Sequence, residues 1–437
     1  MRYLYIDNFR GFSSTLLPLM QTNFLVGENS TGKSSVLMLL KEMSSLDFMY
    51  DMGFPVRKDA PFIEFRDMVS LNSDNQSKFC IGQAEILNDN NGEFSLCYTL
   101  HYFSERDGLP FRYHVIAEGY GRFFECNYSR SKRWRARSYP VAPLFSSEED
   151  ALNRFREVFS DSAEQEKRYA CLQENASDSL RSVVFAAGDE KRIFKNNNDF
   201  FSIRKALSRM SPLGTSPIWT APIRTKPLRI YDGVSYEHSP EGHHAPSLFR
   251  KIMKSKSDSI SFKEDMVKFG KEGNLFDALD FRSFGRAGSS PMEVLVDLDG
   301  INFNISNVGY GVSQVFPLLV DLLDPSNKDE RNYVLQQPEV HLHPRAQAAL
   351  GDMLHGVALS AQMLFVETHS DYLIDRYRIK MRKSKNNPSS QVLYFQRSNT
   401  GNTVIPLELS QSGDYPENQP QSYREFFINE DLELLDF

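Results

Sequence analysis

No stretch of this 437-residue chain reaches the roughly 18 consecutive apolar residues that a membrane-spanning helix requires, so no membrane role is expected. Cysteine is scarce. Cys80, Cys97, Cys126 and Cys171 are widely spaced without a Cys-x-x-Cys pair, which excludes a zinc knuckle or a disulfide framework and leaves reduced packing residues. Met1 to Asp7 lack the basic-then-apolar order of a signal peptide, so the cytoplasm is the expected location. Positive charge is not in excess: 50 Lys and Arg against 57 Asp and Glu give a net charge of −7, and any nucleic-acid contact would need a local patch. Two segments qualify, Lys132, Arg133, Trp134, Arg135 and Arg137, and Arg376, Arg378, Lys380, Arg382, Lys383 and Lys385. Each also reads as an ordinary solvated hairpin or helix face. What is present, 41% hydrophobic and 24% charged residues without repeats or low-complexity tracts, is globular usage.

Along the chain, Arg2 to Phe12 alternates apolar and polar residues before a turn at Gly11, and Asn23 to Val26 is a short apolar run ending at Gly27. Lys33 to Met43 has helical apolar spacing. From about Ala60 to Phe124, short aromatic and β-branched runs separated by turns such as Asn88 to Gly92 predict antiparallel hairpins. Ser146 to Met210 reads as mostly helical, and Ser211 to Pro246 as a loop-rich return. Val294 to Ile305 alternates around Asp299-Gly300, a type I′ hairpin signal that explains the Asp297-x-Asp299 pair better than a metal motif does. From Gly309 onward, apolar helices alternate with the short strands Tyr333 to Leu335 and Met363 to Val366, as in a wound α/β core.

The strongest motif is Gly27-Glu28-Asn29-Ser30-Thr31-Gly32-Lys33-Ser34, which fits G-x-x-x-x-G-K-[ST] at every fixed position and runs on into Ser35. Glycine lets the backbone N–H groups curl round phosphates, Lys33 supplies a point charge, and the Ser34 hydroxyl suits magnesium. A chance match in a chain this long is on the order of one in a hundred. Its place between a strand and a helix lowers that further. ATP with Mg2+ is therefore the expected ligand.

Three later segments narrow the class. Asn307-Val308-Gly309-Tyr310-Gly311-Val312-Ser313-Gln314 precedes the apolar helix Val315 to Leu323 and offers a second phosphate-binding helix N-terminus. Tyr333 to Glu339 is a buried-strand pattern ending in Gln336, Gln337, Pro338 and Glu339, and Leu364 to Ser370 is another, ending in His369. With Tyr5 to Phe12 and Gln337 to Pro344, these segments make the chain resemble the ABC-type ATPases of the RecF, SMC and OLD kind, and within them predicted ATPases of bacterial anti-phage defence loci. The likeness covers roughly residues 1 to 70 and 290 to 410.

The resemblance implies an α/β fold, an ABC-type P-loop ATPase head with mixed sheet, flanking helices and an antiparallel β part, carrying an inserted, largely helical lobe. The expected division is 1–145 for the N-terminal ATPase lobe, 146–290 for the insertion and 291–437 for the C-terminal ATPase lobe. It further implies that Gly309, Gly311, Ser313 and Gln314 contact the γ-phosphate of ATP held by a second subunit, so that a homodimer or higher homo-oligomer completes the site. His369 resembles the switch histidine. Arg10 resembles an N-terminal arginine that approaches nucleotide, with a surface role equally open.

One departure stands out. Where relatives carry an acidic pair, this chain has Gln336 and Gln337; carboxamides orient water but cannot take its proton, so slow hydrolysis is expected unless Glu339 or a partner supplies a base. Glu339, His341 and His343, two apart along a strand, would alternatively share a face and gather a metal. The expected function is an ATP-controlled switch in anti-phage defence with a separate nuclease or toxin, as resemblance to the Septu and PARIS ATPase subunits implies. The alternatives are a DNA-binding repair ATPase using the basic segments and a non-hydrolysing scaffold.

Overall fold

The structure, a computed structural model, describes residues 1–54, 64–71, 76–88, 91–128, 133–160, 169–172, 179–189, 193–194, 197–209, 212–214, 217–327, 331–399 and 401–427. Two units alternate along the chain: Met1–Leu19, Glu28–Ser216 and Phe395–Val404 form the first, and Met20–Gly27, Pro217–Tyr394 and Ile405–Phe437 the second. The segment 146–290 is thus shared between them. Lys132 and the turn residues Asp89 and Asn90, singled out above, lie outside the described residues, as does the side chain of Cys171. Cys80, Cys97 and Cys126 are buried free thiols.

In the first unit, alternating apolar residues build an antiparallel sheet. Its strand order is Thr15–Leu19, Arg2–Asp7, Lys78–Asn88, Phe94–Arg106, Leu109–Gly119, Arg122–Tyr128, Trp134–Pro140, Ala170–Cys171. Most neighbours are consecutive in sequence, so short turns set the register. Aromatic rings fill its core: Phe79 stacks on Phe103 at 5.0 Å, and Phe48 lies edge-on to Phe54 at 5.8 Å. Arg112 is buried among them with its guanidinium 4.5 Å from the Phe48 ring centre, and burial pulls its pKa down to about 9. Helices Glu148–Ser160, Leu180–Asp189 and Asn197–Ser208 belong to this unit, as does Lys33–Met43.

The second unit carries the wound core. Its sheet runs Ile218–Thr220, Asn332–Gln336, Met363–Glu367, Thr22–Gly27, Ser390–Ser398, Gly401–Leu409, and the first four strands are parallel. Val334, Leu335, Leu364, Phe365, Val366, Phe24, Leu25 and Val26 are all fully buried, as expected where helices cover both faces of a parallel sheet. Helices Tyr310–Leu323, Pro344–Ala358 and Asp371–Lys383 contribute to the same core.

Two details differ from the sequence reading. The stretch read as a loop-rich return contains the edge strand Ile218–Thr220, whose three residues are too short to show a period. The helix expected from Val315 begins at Tyr310, capped by Gly309, so Ser313 and Gln314 lie inside its first turns. The expected hairpin forms from Met292–Leu298 and Ile301–Asn304, with Asp299 and Gly300 both left-handed at φ 54° and 79°, and Ala278–Ser283 adds a third strand. The Asp297 carboxylate accepts the Gly300 N–H at 2.9 Å, which accounts for the acidic pair as turn chemistry.

Candidate nucleotide site

The loop from Gly27 to Lys33 is a closed turn of backbone. Lys33, only 4% exposed, donates from Nζ to the Glu28 carbonyl at 2.7 Å, and the Thr31 hydroxyl donates to the same oxygen at 2.8 Å. Gly32 has φ 96°, and a Cβ there would meet the buried Phe12 ring at 2.4 Å, so only glycine fits. Phe12 thus explains why the early Tyr5 to Phe12 motif accompanies the loop. Arg10 holds a left-handed φ of 45° nearby in sequence, and its carbonyl accepts from Asn402 Nδ2 at 3.1 Å. The backbone N–H groups of Asn29, Ser30 and Gly32 have no hydrogen-bond partner among the described residues. A ring of unpaired N–H donors with a lysine folded over it fits a phosphate chain. Glu28, Asn29, Ser30 and Ser34 are exposed, and Ser35 is half-buried.

The C-terminal ends of the parallel strands meet at one edge, the edge at which open α/β sheets bind ligands. Met363–Glu367 lies between the strand ending at Gly27 and the strand ending at Gln336, with Glu367 in register with both Leu25 and Gln336. Gln336 donates from Nε2 to Glu367 Oε2 at 3.2 Å, and Glu367 is 4% exposed. Gln337 leaves the strand with φ 43° and donates its N–H to the Glu367 carbonyl at 2.8 Å. Glu339 is buried, with Oε1 accepting the His369 N–H at 2.8 Å and Oε2 unpartnered. Burial raises its pKa above the ordinary carboxylate range, opposed by these hydrogen bonds and by the charge of Arg224. The His369 side chain is exposed, and Ser370 caps the following helix by accepting the Leu373 N–H at 3.0 Å.

Arg224 was not legible in the sequence and is the main addition. It is 4% exposed, donates to the Gln314 carbonyl at 3.1 Å and to the Gln337 carbonyl at 3.3 Å, and so ties the helix Tyr310–Leu323 to the turn after Gln336. Burial lowers its pKa to about 10, still well above neutrality. Gln314 in turn donates from Nε2 to Thr225 O at 3.3 Å. Ser313 is buried and its hydroxyl donates to Tyr310 O at 3.0 Å, whereas Gly309 and Tyr310 are exposed. A Cβ on Gly311 would meet the His341 carbonyl at 2.9 Å, so this helix end sits against the post-strand turn.

The metal alternative at Glu339, His341 and His343 does not assemble. The strand ends at Gln336, so strand alternation no longer applies: Glu339 is buried, whereas His341 and His343 are exposed. Among the described residues one cluster has metal-like spacing, His238, His244 and Asp321. His244 Nδ1 accepts the Ser239 N–H at 3.2 Å, which leaves its proton on Nε2 to donate to Asp321 Oδ1 at 2.7 Å. That ion pair accounts for the cluster without a metal. The basic segments are largely committed: Arg137 Nε donates to Glu125 at 2.6 Å, Arg376 to Asp352 at 3.0 Å, and Arg382 to Asp414 at 2.5 Å.

A family model described as "AAA domain, putative AbiEii toxin, Type IV TA system" matches residues 22–375. The chain belongs to this family. It is therefore an ATPase of the AAA type, and the P-loop, the strand ends and the His369 turn all fall within the matched residues. ATPases of this kind use ATP with a divalent metal. No curated protein matches the chain. Among solved structures, the chain is similar to an SMC head bound to the C-winged helix domain of ScpA, at 10% identity over 94% of this chain and 98% of that one, TM-score 0.42. It is also similar to the SMC head domain from Thermotoga maritima, at 11% identity over 94% and 100%, TM-score 0.41. A third is the Pyrococcus furiosus Smc head with an extended coiled coil bound to the C-terminal domain of ScpA, at 10% identity over 100% and 99%, TM-score 0.41. No helix among the described residues is long and apolar enough to cross a membrane.

Proposed function

We propose that this ATPase binds ATP with magnesium between two copies of the chain and serves as a slow, nucleotide-controlled switch or scaffold in anti-phage defence, acting through a separate nuclease or toxin. Gly27 to Ser35 form the phosphate cradle, with Lys33 as its charge and the Ser34 hydroxyl as a magnesium ligand. Magnesium, when bound, neutralises charge on the phosphate oxygens. Gly309, Gly311, Ser313 and Gln314 face the γ-phosphate of the second copy. Because Ser313 is buried within its own chain, the helix N-terminus at exposed Gly309 and Tyr310 makes the approach, through backbone N–H groups. His369 senses the phosphate from its exposed place beside Glu339.

The observation that carries this reading is the double bond of Arg224 to Gln314 and Gln337: one buried side chain couples the helix end that would meet a second copy to the turn where hydrolytic groups stand. Slow turnover follows from the carboxamides of Gln336 and Gln337. The family's description, a toxin of a two-component system, supports work with a second polypeptide and leaves open that this chain is itself the toxic component. The resemblance to the Septu and PARIS ATPase subunits supports the defence setting. Direct DNA contact is the weaker reading, since Arg137, Arg376 and Arg382 already face carboxylates.

Gly309→Arg tests the sandwich. Gly309 has φ −58° and open space around a Cβ, so the fold tolerates the side chain. ATP binding by the single copy is expected to persist while ATP-dependent dimerisation, measured by sedimentation, weakens at least about tenfold. A dimer that forms as well as in the unmodified chain contradicts the proposed role of this helix end.

A further inference from the structure

The acid absent from the Gln336-Gln337 turn has a counterpart on the next strand. Neighbouring strands lie about 4.8 Å apart. The strand ending at Glu367 is the direct neighbour of the P-loop strand, whereas the strand ending at Gln336 is one place further away. Glu367 therefore brings a carboxylate closer to Gly27 than an acid at 336 would be.

Its position is fixed on both sides. The Glu367 carbonyl accepts the Gln337 N–H at 2.8 Å, the following Thr368 donates its N–H to Leu25 O at 3.1 Å, and Gln336 Nε2 holds the carboxylate itself at 3.2 Å. A carboxamide in place of an acid at 336 is what this arrangement needs, because two carboxylates at that separation would repel and raise each other's pKa. Gln336 is then a positioning group rather than a lost catalyst. Burying a carboxylate at 4% exposure is unfavourable, and a hard divalent cation, which prefers oxygen ligands, offsets that cost directly or through a bound water.

We propose that Glu367 supplies the carboxylate that organises the divalent metal of the nucleotide site, with Gln336 orienting it. This rests on the nucleotide-binding reading above. It divides the two buried acids between two tasks: Glu367 serves the metal, and Glu339, held by the His369 N–H, is left for the attacking water.

The test uses the full chain, a fluorescent ATP analogue and Mn2+, whose binding is followed by electron paramagnetic resonance and by the metal dependence of nucleotide affinity. Glu367→Gln, which keeps size and shape, is expected to bind the analogue without metal as the unmodified chain does. Its Mn2+ affinity in the presence of nucleotide is expected to fall at least about tenfold. The exchange variant Gln336→Glu with Glu367→Gln returns a carboxylate to the same pair and is expected to recover most of that loss. Unchanged Mn2+ binding in Glu367→Gln overturns the inference, as does an exchange variant that folds, binds nucleotide and stays at the level of the single change. If the unmodified chain binds no nucleotide, with or without metal, the nucleotide reading itself falls.

Discussion

The two sheets of this protein are built in opposite ways. In the first unit, strands from Lys78 to Pro140 pair with their immediate successors, and the sheet follows from local turns. In the second, strands starting at Thr22, Ile218, Asn332 and Met363 lie side by side, so each neighbour comes from a distant part of the chain. Parallel pairing requires such crossovers, and it also places several strand ends at one edge. The local sheet makes a scaffold. The non-local one gathers Gly27, Gln336, Gln337, Glu339 and Glu367, which no single segment of sequence brings together.

Variants at the two kinds of element sharpen this contrast. The largest effect is expected from Lys33→Ala. A hydrogen bond to a charged group contributes about 1.5–3 kcal/mol, so ATP affinity by calorimetry should fall at least about tenfold, with the antiparallel sheet unchanged by circular dichroism. Near-normal affinity would remove the loop from the site. Arg224→Met comes next. It leaves the buried Gln314 and Gln337 carbonyls each without a charged donor, at about 1–3 kcal/mol apiece, and hydrogen exchange should rise in Tyr310–Leu323 but not in Lys78–Asn88. ATP-dependent association should weaken with it, and Arg224→Lys should recover only part, because lysine lacks the two-pronged donor. Uniform destabilisation of both sheets would mean that Arg224 holds the fold generally rather than the coupling.

Much of the site was legible because its motifs are contiguous. The P-loop, the helix Lys33–Met43 and the strands leading to Gln336 and Glu367 lie where apolar runs and glycines point. Arg224 was hidden for a physical reason: its partners lie 90 and 113 residues away, and it sits in a proline-rich stretch without period. The role of Glu367 was hidden differently. An acid was sought on the strand that normally bears it, and only the register between strands shows that a neighbour offers one. The start of the helix at Tyr310 was missed because Gly309 and Gly311 read as loop, although a glycine at the cap and another pressed against the His341 carbonyl suit a close-packed helix end. The burial of Ser313 follows from that shift and moves the proposed contact with a second copy onto the helix end itself.

The central claim is that ATP holds two copies together and is released slowly because carboxamides occupy the turn after Asn332–Gln336. Sedimentation of the full chain with ATP and magnesium, with phosphate release followed in parallel, tests it most directly. The account predicts a dimer that forms on ATP addition and outlasts its formation by many-fold before phosphate appears. It also predicts that Gln336→Asp with Gln337→Glu speeds phosphate release by about a hundredfold or more, provided general-base assistance is what the turn lacks. An unmodified chain that stays monomeric while hydrolysing ATP briskly would contradict both halves of the claim.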